Sequence, residues 1–129
     1  MNLLQRTSTP TSGRETEDQT ARKAGRVLIV DDEPNVRLVF RTALESAGYA
    51  VAEVDDGPEA LAWLAKARAD VVLLDIQMPL MGGMDVLRGL RDAGNDVPVV
   101  IITAHGSIPD AVAAIKLGAI DFLSKPLTP

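Results

Sequence analysis

The sequence predicts an α/β protein built on a doubly wound parallel sheet. Five short apolar runs, rich in Val, Leu and Ile, alternate with segments whose apolar residues recur every three or four positions. Strands that alternate with helices imply right-handed crossovers and a parallel sheet covered on both faces. Several runs also end directly in polar residues, at the edge where ligands bind in such sheets.

The predicted elements follow one another from residue 26 onward. The first strand ends at Val30, and Pro34 opens the first helix, where its missing N–H costs nothing. Gly48 is placed to end that helix. The apolar stripe of the helix consists of Val36, Val39, Phe40, Ala43, Leu44 and Ala47. The later predicted strands are residues 50–54, 70–74, 99–102 and 120–124, and the later helices are residues 58–67, 84–93 and 107–117, with Ser107 as N-cap. Five such strands suit the flavodoxin-like order 2-1-3-4-5.

The chain divides into a predicted tail and a predicted domain. Residues 1–25 are rich in Thr, Ser, Gly and charge and lack apolar periodicity, which is typical of a flexible tail. Residues 26–129 form the domain, and the fifth helix is absent because the sequence reaches Pro129 first. The first helix alone would then cover one face of the sheet. We therefore expect exposed apolar surface, with low stability or self-association.

Composition excludes several classes of function. The sequence has no cysteine, so it can form no disulfide or thiolate metal site, which fits a reducing compartment. Its N-terminus has no sustained apolar stretch, so we expect no secretory signal, and no apolar run is long enough to span a bilayer. We therefore expect a cytoplasmic protein. Residues 26–129 hold nine basic and fifteen acidic groups, and this acidity argues against direct nucleic acid contact.

Polar residues stand at the ends of four predicted strands. Asp31 and Asp32 follow the first strand, Asp75 the third, Thr103 the fourth and Lys125 the fifth. Because ligands bind beyond the carboxyl ends of parallel strands, we expect these side chains to converge. Taken singly, each is an ordinary cap, loop or turn residue. Together they can hold a divalent cation beside a phosphorylatable aspartate.

The domain resembles the receiver domain of two-component response regulators. The matching pieces are Val-Asp-Asp-Glu at 30–33, Leu-Asp-Ile-Gln-Met-Pro at 74–79, Thr103-Ala104 and Lys125-Pro126. The segment from residue 104 to residue 126 is most similar to receivers attached to nitrogen-regulator-type transcription activators. The missing fifth helix departs from the family pattern and puts the usual output and dimer face in doubt.

The resemblance implies a phosphoacceptor and a magnesium site. Asp75 would accept a phosphoryl group from a sensor histidine kinase. Mg²⁺ would be bound by Asp32, Asp75 and the backbone carbonyl of Gln77, with Asp31 acting through water. The domain would then be a signalling phosphoacceptor, and its only catalysis would be its own phosphorylation and slow dephosphorylation.

The resemblance also implies a switch. Thr103 and Lys125 would contact the phosphoryl group, and the peptide bond after Lys125 would be cis. Movement of Thr103 would let Phe122 rotate, and the side chains of Gln77 and His105 would tune the lifetime of the phosphate. The partners would be the kinase, an output domain or effector beyond the C-terminus, and possible homodimers.

Two alternatives belong to other classes of function. The first is a phosphate-independent interaction module with the same fold, which the missing fifth helix favours. The second is an aspartate-nucleophile phosphatase. Such enzymes usually carry a second acid two residues after the nucleophile, and this sequence has Gln77 there.

Overall fold

The computed structural model of the chain describes residues 25–104 and 108–125. Its strands are β1 (Arg26–Val30), β2 (Ala50–Val54), β3 (Val71–Asp75), β4 (Val99–Thr103) and β5 (Asp121–Ser124). Its helices are α1 (Pro34–Ser46), α2 (Gly57–Lys66), α3 (Gly83–Asp92) and α4 (Ile108–Lys116). Every predicted element within the described residues is present, with bounds that differ by one or two positions. β3 and β4 run one residue further than predicted because Asp75 and Thr103 still pair with neighbouring strands.

The five strands form one parallel sheet in the order β2-β1-β3-β4-β5, as predicted. Val30, the last residue of β1, pairs with Val54 on one side and with Leu74 on the other. The carboxyl ends of β1, β2 and β3 therefore lie at the same level. This register brings Asp31 and Asp75, the residues that come next, to the point where the strand order reverses.

The core lies on both faces of the sheet because successive strand residues point to opposite sides. In β1, Leu28 and Val30 join the larger cluster, to which α2, α3 and α4 contribute. Val27 and Ile29 join the smaller cluster, which packs against Phe40 and Leu44 of α1. Among the helices within residues 25–104 and 108–125, α1 is the one that contributes to this smaller cluster, as expected. The low stability and self-association expected for this chain stay predictions.

Helix boundaries follow the predicted signals. Pro34 is the first residue of α1, and Gly48 has a φ of 97°, which glycine adopts without a steric penalty. No helix among the described residues is long and apolar enough to cross a membrane. Several predictions concern positions outside the described residues, namely the tail before Gly25, His105, the Ser107 cap and the peptide bond after Lys125.

Leu80, in the loop between β3 and α3, has a backbone that ordinary side chains avoid. Its φ is 71° and its side chain is 92% exposed, so the residue carries a steric penalty with little burial in return. We expect Leu80→Asn to raise the free energy of unfolding by about 1 kcal/mol, because asparagine tolerates this conformation better. Urea unfolding would measure the change. Leu80→Ala is the matched control and should give no gain, since alanine keeps the Cβ and lacks the short polar side chain that lets asparagine adopt this conformation.

Candidate functional site

The ends of β1, β3 and β5 bring an ammonium group between two buried carboxylates. Lys125 Nζ lies 3.0 Å from Asp75 Oδ2 and 3.2 Å from Asp31 Oδ2. The backbone N–H of Lys125 donates to the carbonyl of Thr103 at 2.8 Å, which continues the β4–β5 pairing past the end of β5. The fold therefore brings the side chains of Asp31, Asp75 and Lys125 together, as the sequence predicts.

Both side-chain oxygens of Asp75 have partners. Oδ1 accepts a hydrogen bond from the backbone N–H of Gln77 at 3.1 Å, and Oδ2 accepts one from Lys125 at 3.0 Å. The residue is fully buried at the end of β3. Burial raises the pKa of the Asp75 carboxyl, and the charge of Asp31 raises it further, while the two hydrogen bonds oppose the rise. The two hydrogen bonds therefore hold the Asp75 carboxylate in position, while burial and the charge of Asp31 destabilise its ionised form.

Asp31 is less well satisfied than Asp75. Its Oδ1 accepts a hydrogen bond from the backbone N–H of Glu33 at 2.8 Å. Its Oδ2 is buried and, within the described part of the chain, makes no hydrogen bond, although the Lys125 ammonium is close. Burial is the main reason that the pKa of Asp31 is raised. A buried carboxylate oxygen without a hydrogen bond is costly, so binding of a metal cation to this atom would be favourable.

The acidic residues at this edge fit a divalent metal ion. Carboxylate oxygens of Asp31, Asp32 and Asp75 all lie within 4.8 Å of one another. Hard cations such as Mg²⁺ prefer oxygen ligands, and Mg²⁺ keeps several waters when one or two carboxylates bind it. The three carboxylates, with the unsatisfied oxygen of Asp31, therefore suit Mg²⁺.

Lys125 also contacts a third carboxylate that the sequence did not single out. Glu33 Oε1 lies 2.7 Å from Lys125 Nζ. Burial lowers the pKa of Lys125, but its hydrogen bonds to Glu33 and Asp75 and the charges of Asp31 and Asp75 together raise it above its ordinary value. Lys125 therefore stays protonated throughout the physiological pH range.

The structure also describes three other predicted site residues. Thr103 is 1% exposed and lies one residue beyond Ile102, the register partner of Asp75. Phe122 is half-buried on β5 and packs against the larger core cluster. Gln77 is exposed, and only its backbone N–H contacts Asp75.

Arg37 is a further residue at the site that sequence reasoning missed. Its Nη1 donates to the backbone carbonyl of Asp31 at 2.7 Å, and its Nε donates to Glu53 on β2 at 2.9 Å. Arg41 also forms an ion pair with Glu53. Arg37 therefore ties the turn after β1 to the neighbouring strand. Nothing in the sequence pattern distinguishes it from the other polar residues of α1.

The raised pKa values of Asp31 and Asp75 make a prediction about pH. A carboxyl whose pKa is higher in the folded state binds its proton more tightly than in the unfolded chain. Stability therefore falls as pH rises from the ordinary aspartate pKa of 3.8 through the higher folded values. In EDTA, we expect Asp31→Asn to gain stability over the wild type as pH rises from about 4 to about 7.

Urea unfolding of both proteins at several pH values would test this. Magnesium should reduce the difference in unfolding free energy between the wild type and Asp31→Asn, because the ion neutralises the carboxylates that repel one another. A constant difference across the pH range, with or without magnesium, would contradict the prediction.

Comparisons with known proteins agree with this geometry. A family model described as the response regulator receiver domain matches residues 27–129. The protein named response regulator MprA from Mycobacterium sp. strain KMS is 44% identical over 101 residues, which cover 78% of this chain and 44% of that protein. The chain thus spans less than half the length of this relative.

Solved structures show the same similarity. The receiver domain of the Francisella response regulator 1452 has a TM-score of 0.75 and 31% identity, covering 81% of this chain and 86% of that one. The chemotaxis protein CheY4 of Vibrio cholerae has a TM-score of 0.74 and 35% identity, covering 81% of this chain and 88% of that one.

Proposed function

The chain belongs to the family of response regulator receiver domains, and from this premise we propose that Asp75 accepts a phosphoryl group with the help of Mg²⁺. The observation that carries the proposal is the buried ammonium of Lys125, which touches both Asp75 and Asp31. Two buried carboxylates and one ammonium leave a negative excess, which a divalent cation would offset.

Asp75 is the nucleophile of the proposed reaction. One of its oxygens forms a bond to phosphorus while the bond from phosphorus to the donor's histidine nitrogen breaks, and the histidine leaves with the electron pair. The backbone N–H of Gln77 and the ammonium of Lys125 hold the carboxylate in position throughout. Lys125 then offsets charge on the phosphoryl oxygens, which is the main requirement of phosphoryl transfer.

The magnesium ion would be held by Asp32, Asp75 and the backbone carbonyl of Gln77, with Asp31 acting through water. When bound, it would neutralise charge on the phosphoryl oxygens and orient the group for transfer. The residues of the chain fit this ion because their carboxylate oxygens are clustered and one of them lacks a hydrogen bond.

The switch is proposed to begin at Thr103. Its hydroxyl would bond to a phosphoryl oxygen, and the space it leaves would let Phe122 turn inward on β5. Phe122 is half-buried in the present structure, so the burial of its ring can still increase. Gln77 and His105 would tune the lifetime of the phosphate from positions next to the path of hydrolytic water.

A receiver domain implies a histidine kinase as phosphoryl donor and an output domain or effector as target. The matched region covers only 44% of the relative's length, so the output activity of the whole protein is itself part of the proposal. We propose that the protein is cytoplasmic and that this domain does not contact nucleic acid directly. Homodimers are proposed as one route of output. The nitrogen-regulator subfamily stays a prediction.

Incubation with acetyl phosphate tests the proposed function. In the presence of magnesium, we expect the intact mass to increase by one phosphoryl group, and peptide mapping to locate that group on Asp75. EDTA should abolish the increase, because the excess of carboxylates repels the donor when no cation offsets it. Modification that is independent of magnesium, or that maps to another residue, would contradict the proposal.

A further inference from the structure

Glu33 is an exposed carboxylate bound to the lysine of the site. It lies in the turn between β1 and α1, and its contact with Lys125 at 2.7 Å is the shortest of the three carboxylate contacts of that ammonium. The Glu33 side chain is 58% exposed, whereas the side chains of Asp31 and Asp75 are fully buried. Glu33 therefore approaches Lys125 from the solvent side.

The ammonium of Lys125 donates hydrogen bonds to Glu33 and Asp75, and it also forms an ion pair with Asp31. A lysine has three hydrogen-bond donors, and three carboxylates surround this one. A phosphoryl group on Asp75 would contact the same ammonium, and it would compete there with the carboxylates that already surround it. Asp31 and Asp75 cannot leave because they are buried on the sheet, whereas Glu33 can rotate into water.

We propose that Glu33 is a displaceable competitor, which occupies Lys125 in the unphosphorylated domain and yields that ammonium to the phosphoryl group. The proposal rests on the proposed function of Asp75. Glu33 is a positioning residue because it acts through Lys125. It holds the ammonium at the site before phosphorylation, and it lowers the affinity of the site for an incoming anion. Removing its charge should therefore make the phosphorylated form easier to reach.

Beryllofluoride, an anionic mimic of a phosphoryl group on a carboxylate, provides a direct test. Its dissociation constant for the full chain would be measured by fluorine NMR at saturating magnesium, after a separate magnesium titration of each variant. We expect Glu33→Gln and Glu33→Ala to bind the anion about fivefold more tightly than the wild type, as the loss of one unit charge at contact distance in water implies.

Glu59→Gln is the matched control. Glu59 is exposed near the start of α2, at the same edge of the sheet, and its recorded hydrogen bonds are with Asp55 and Asp56. Its replacement removes the same charge, and we expect the affinity for beryllofluoride to stay at the wild-type value. Equal tightening in Glu59→Gln would show a general charge effect and overturn the proposal.

The two Glu33 variants separate competition from a new contact. Tightening in both supports the proposal, since alanine can donate no hydrogen bond to the anion. Tightening in Glu33→Gln alone would assign the gain to the new amide and overturn the proposal. Unchanged or weaker binding in both would also overturn it, while wild-type binding at Asp75 would leave the proposed function standing. If the wild type binds no beryllofluoride, both the proposal for Glu33 and the proposed function of Asp75 are wrong.

Discussion

Replacing Asp75 with asparagine should abolish phosphoryl acceptance from acetyl phosphate and from a histidine kinase. The amide has nearly the shape of the carboxylate, but its oxygen is a poor nucleophile and carries no charge for a metal ion. Because burial raises the pKa of Asp75, the folded protein already disfavours the ionised group. The variant should therefore stay folded, and its circular dichroism spectrum should match that of the wild type.

The measurement is intact-mass spectrometry with peptide mapping, compared with Asp92→Asn. Asp92 is exposed at the end of α3, so its replacement should leave labelling unchanged. If Asp75→Asn is labelled at the wild-type level, Asp75 is not the phosphoacceptor. Loss of labelling in Asp92→Asn would show that the effect does not depend on the site.

Gly83→Ala should be the most damaging small substitution in the described part of the chain. A Cβ on Gly83 would lie 2.2 Å from the carbonyl oxygen of Asp75 and 2.8 Å from the Cα of Ile76. Both are backbone atoms, so relief requires α3 and the end of β3 to move apart. The backbone N–H of Gly83 also donates to the carbonyl of Ile76 at 3.0 Å, and this bond would be strained.

We expect Gly83→Ala to lower the free energy of unfolding by about 3 kcal/mol, at the upper end of the cost of overpacking. The shift of the Asp75 backbone should also slow phosphorylation. Chemical unfolding and acetyl phosphate labelling measure the two effects separately. An unfolding free energy within about 0.5 kcal/mol of the wild type would contradict the prediction, since ordinary surface substitutions fall in that range.

Gly89→Ala is the matched control in the same helix. A Cβ at Gly89 would lie 3.5 Å from the side chain of Leu61, which is ordinary van der Waals contact. Alanine is the better helix former by about 0.8–1.0 kcal/mol, so this variant should be at least as stable as the wild type. The pair therefore separates the close approach at Gly83 from any general effect of adding a methyl group to α3.

The order and type of the elements could be predicted from the sequence because they depend on local signals. Apolar runs, the helical stripe after Pro34 and the glycine at Gly48 each act over a few residues. Element bounds were less accurate, and β3 and β4 extend one residue further than predicted. Strand ends depend on pairing with neighbouring strands, which is a property of the sheet.

The residues of the candidate site could be selected from the sequence because parallel strands present their carboxyl ends at one edge. That rule brings Asp31, Asp75 and Lys125 together without any knowledge of side-chain geometry. It could not identify Glu33 or Arg37 as parts of the same site. Their contacts with Lys125 and with the Asp31 backbone depend on side-chain conformations that only the packed structure sets.

Arg91 illustrates what remains hidden until the chain is folded. Its guanidinium donates to the backbone carbonyls of Asn95, Val97, Leu117 and Gly118, so it links the loop after α3 to the end of α4. Those carbonyls come from segments up to 27 positions away along the chain. The sequence by itself determined the elements, their order and the edge at which chemistry takes place, because those follow from short-range pattern and strand direction. Tertiary structure alone decided which carboxylate oxygen lacks a hydrogen bond and which charges share one ammonium, because contact distances depend on how all the elements pack together.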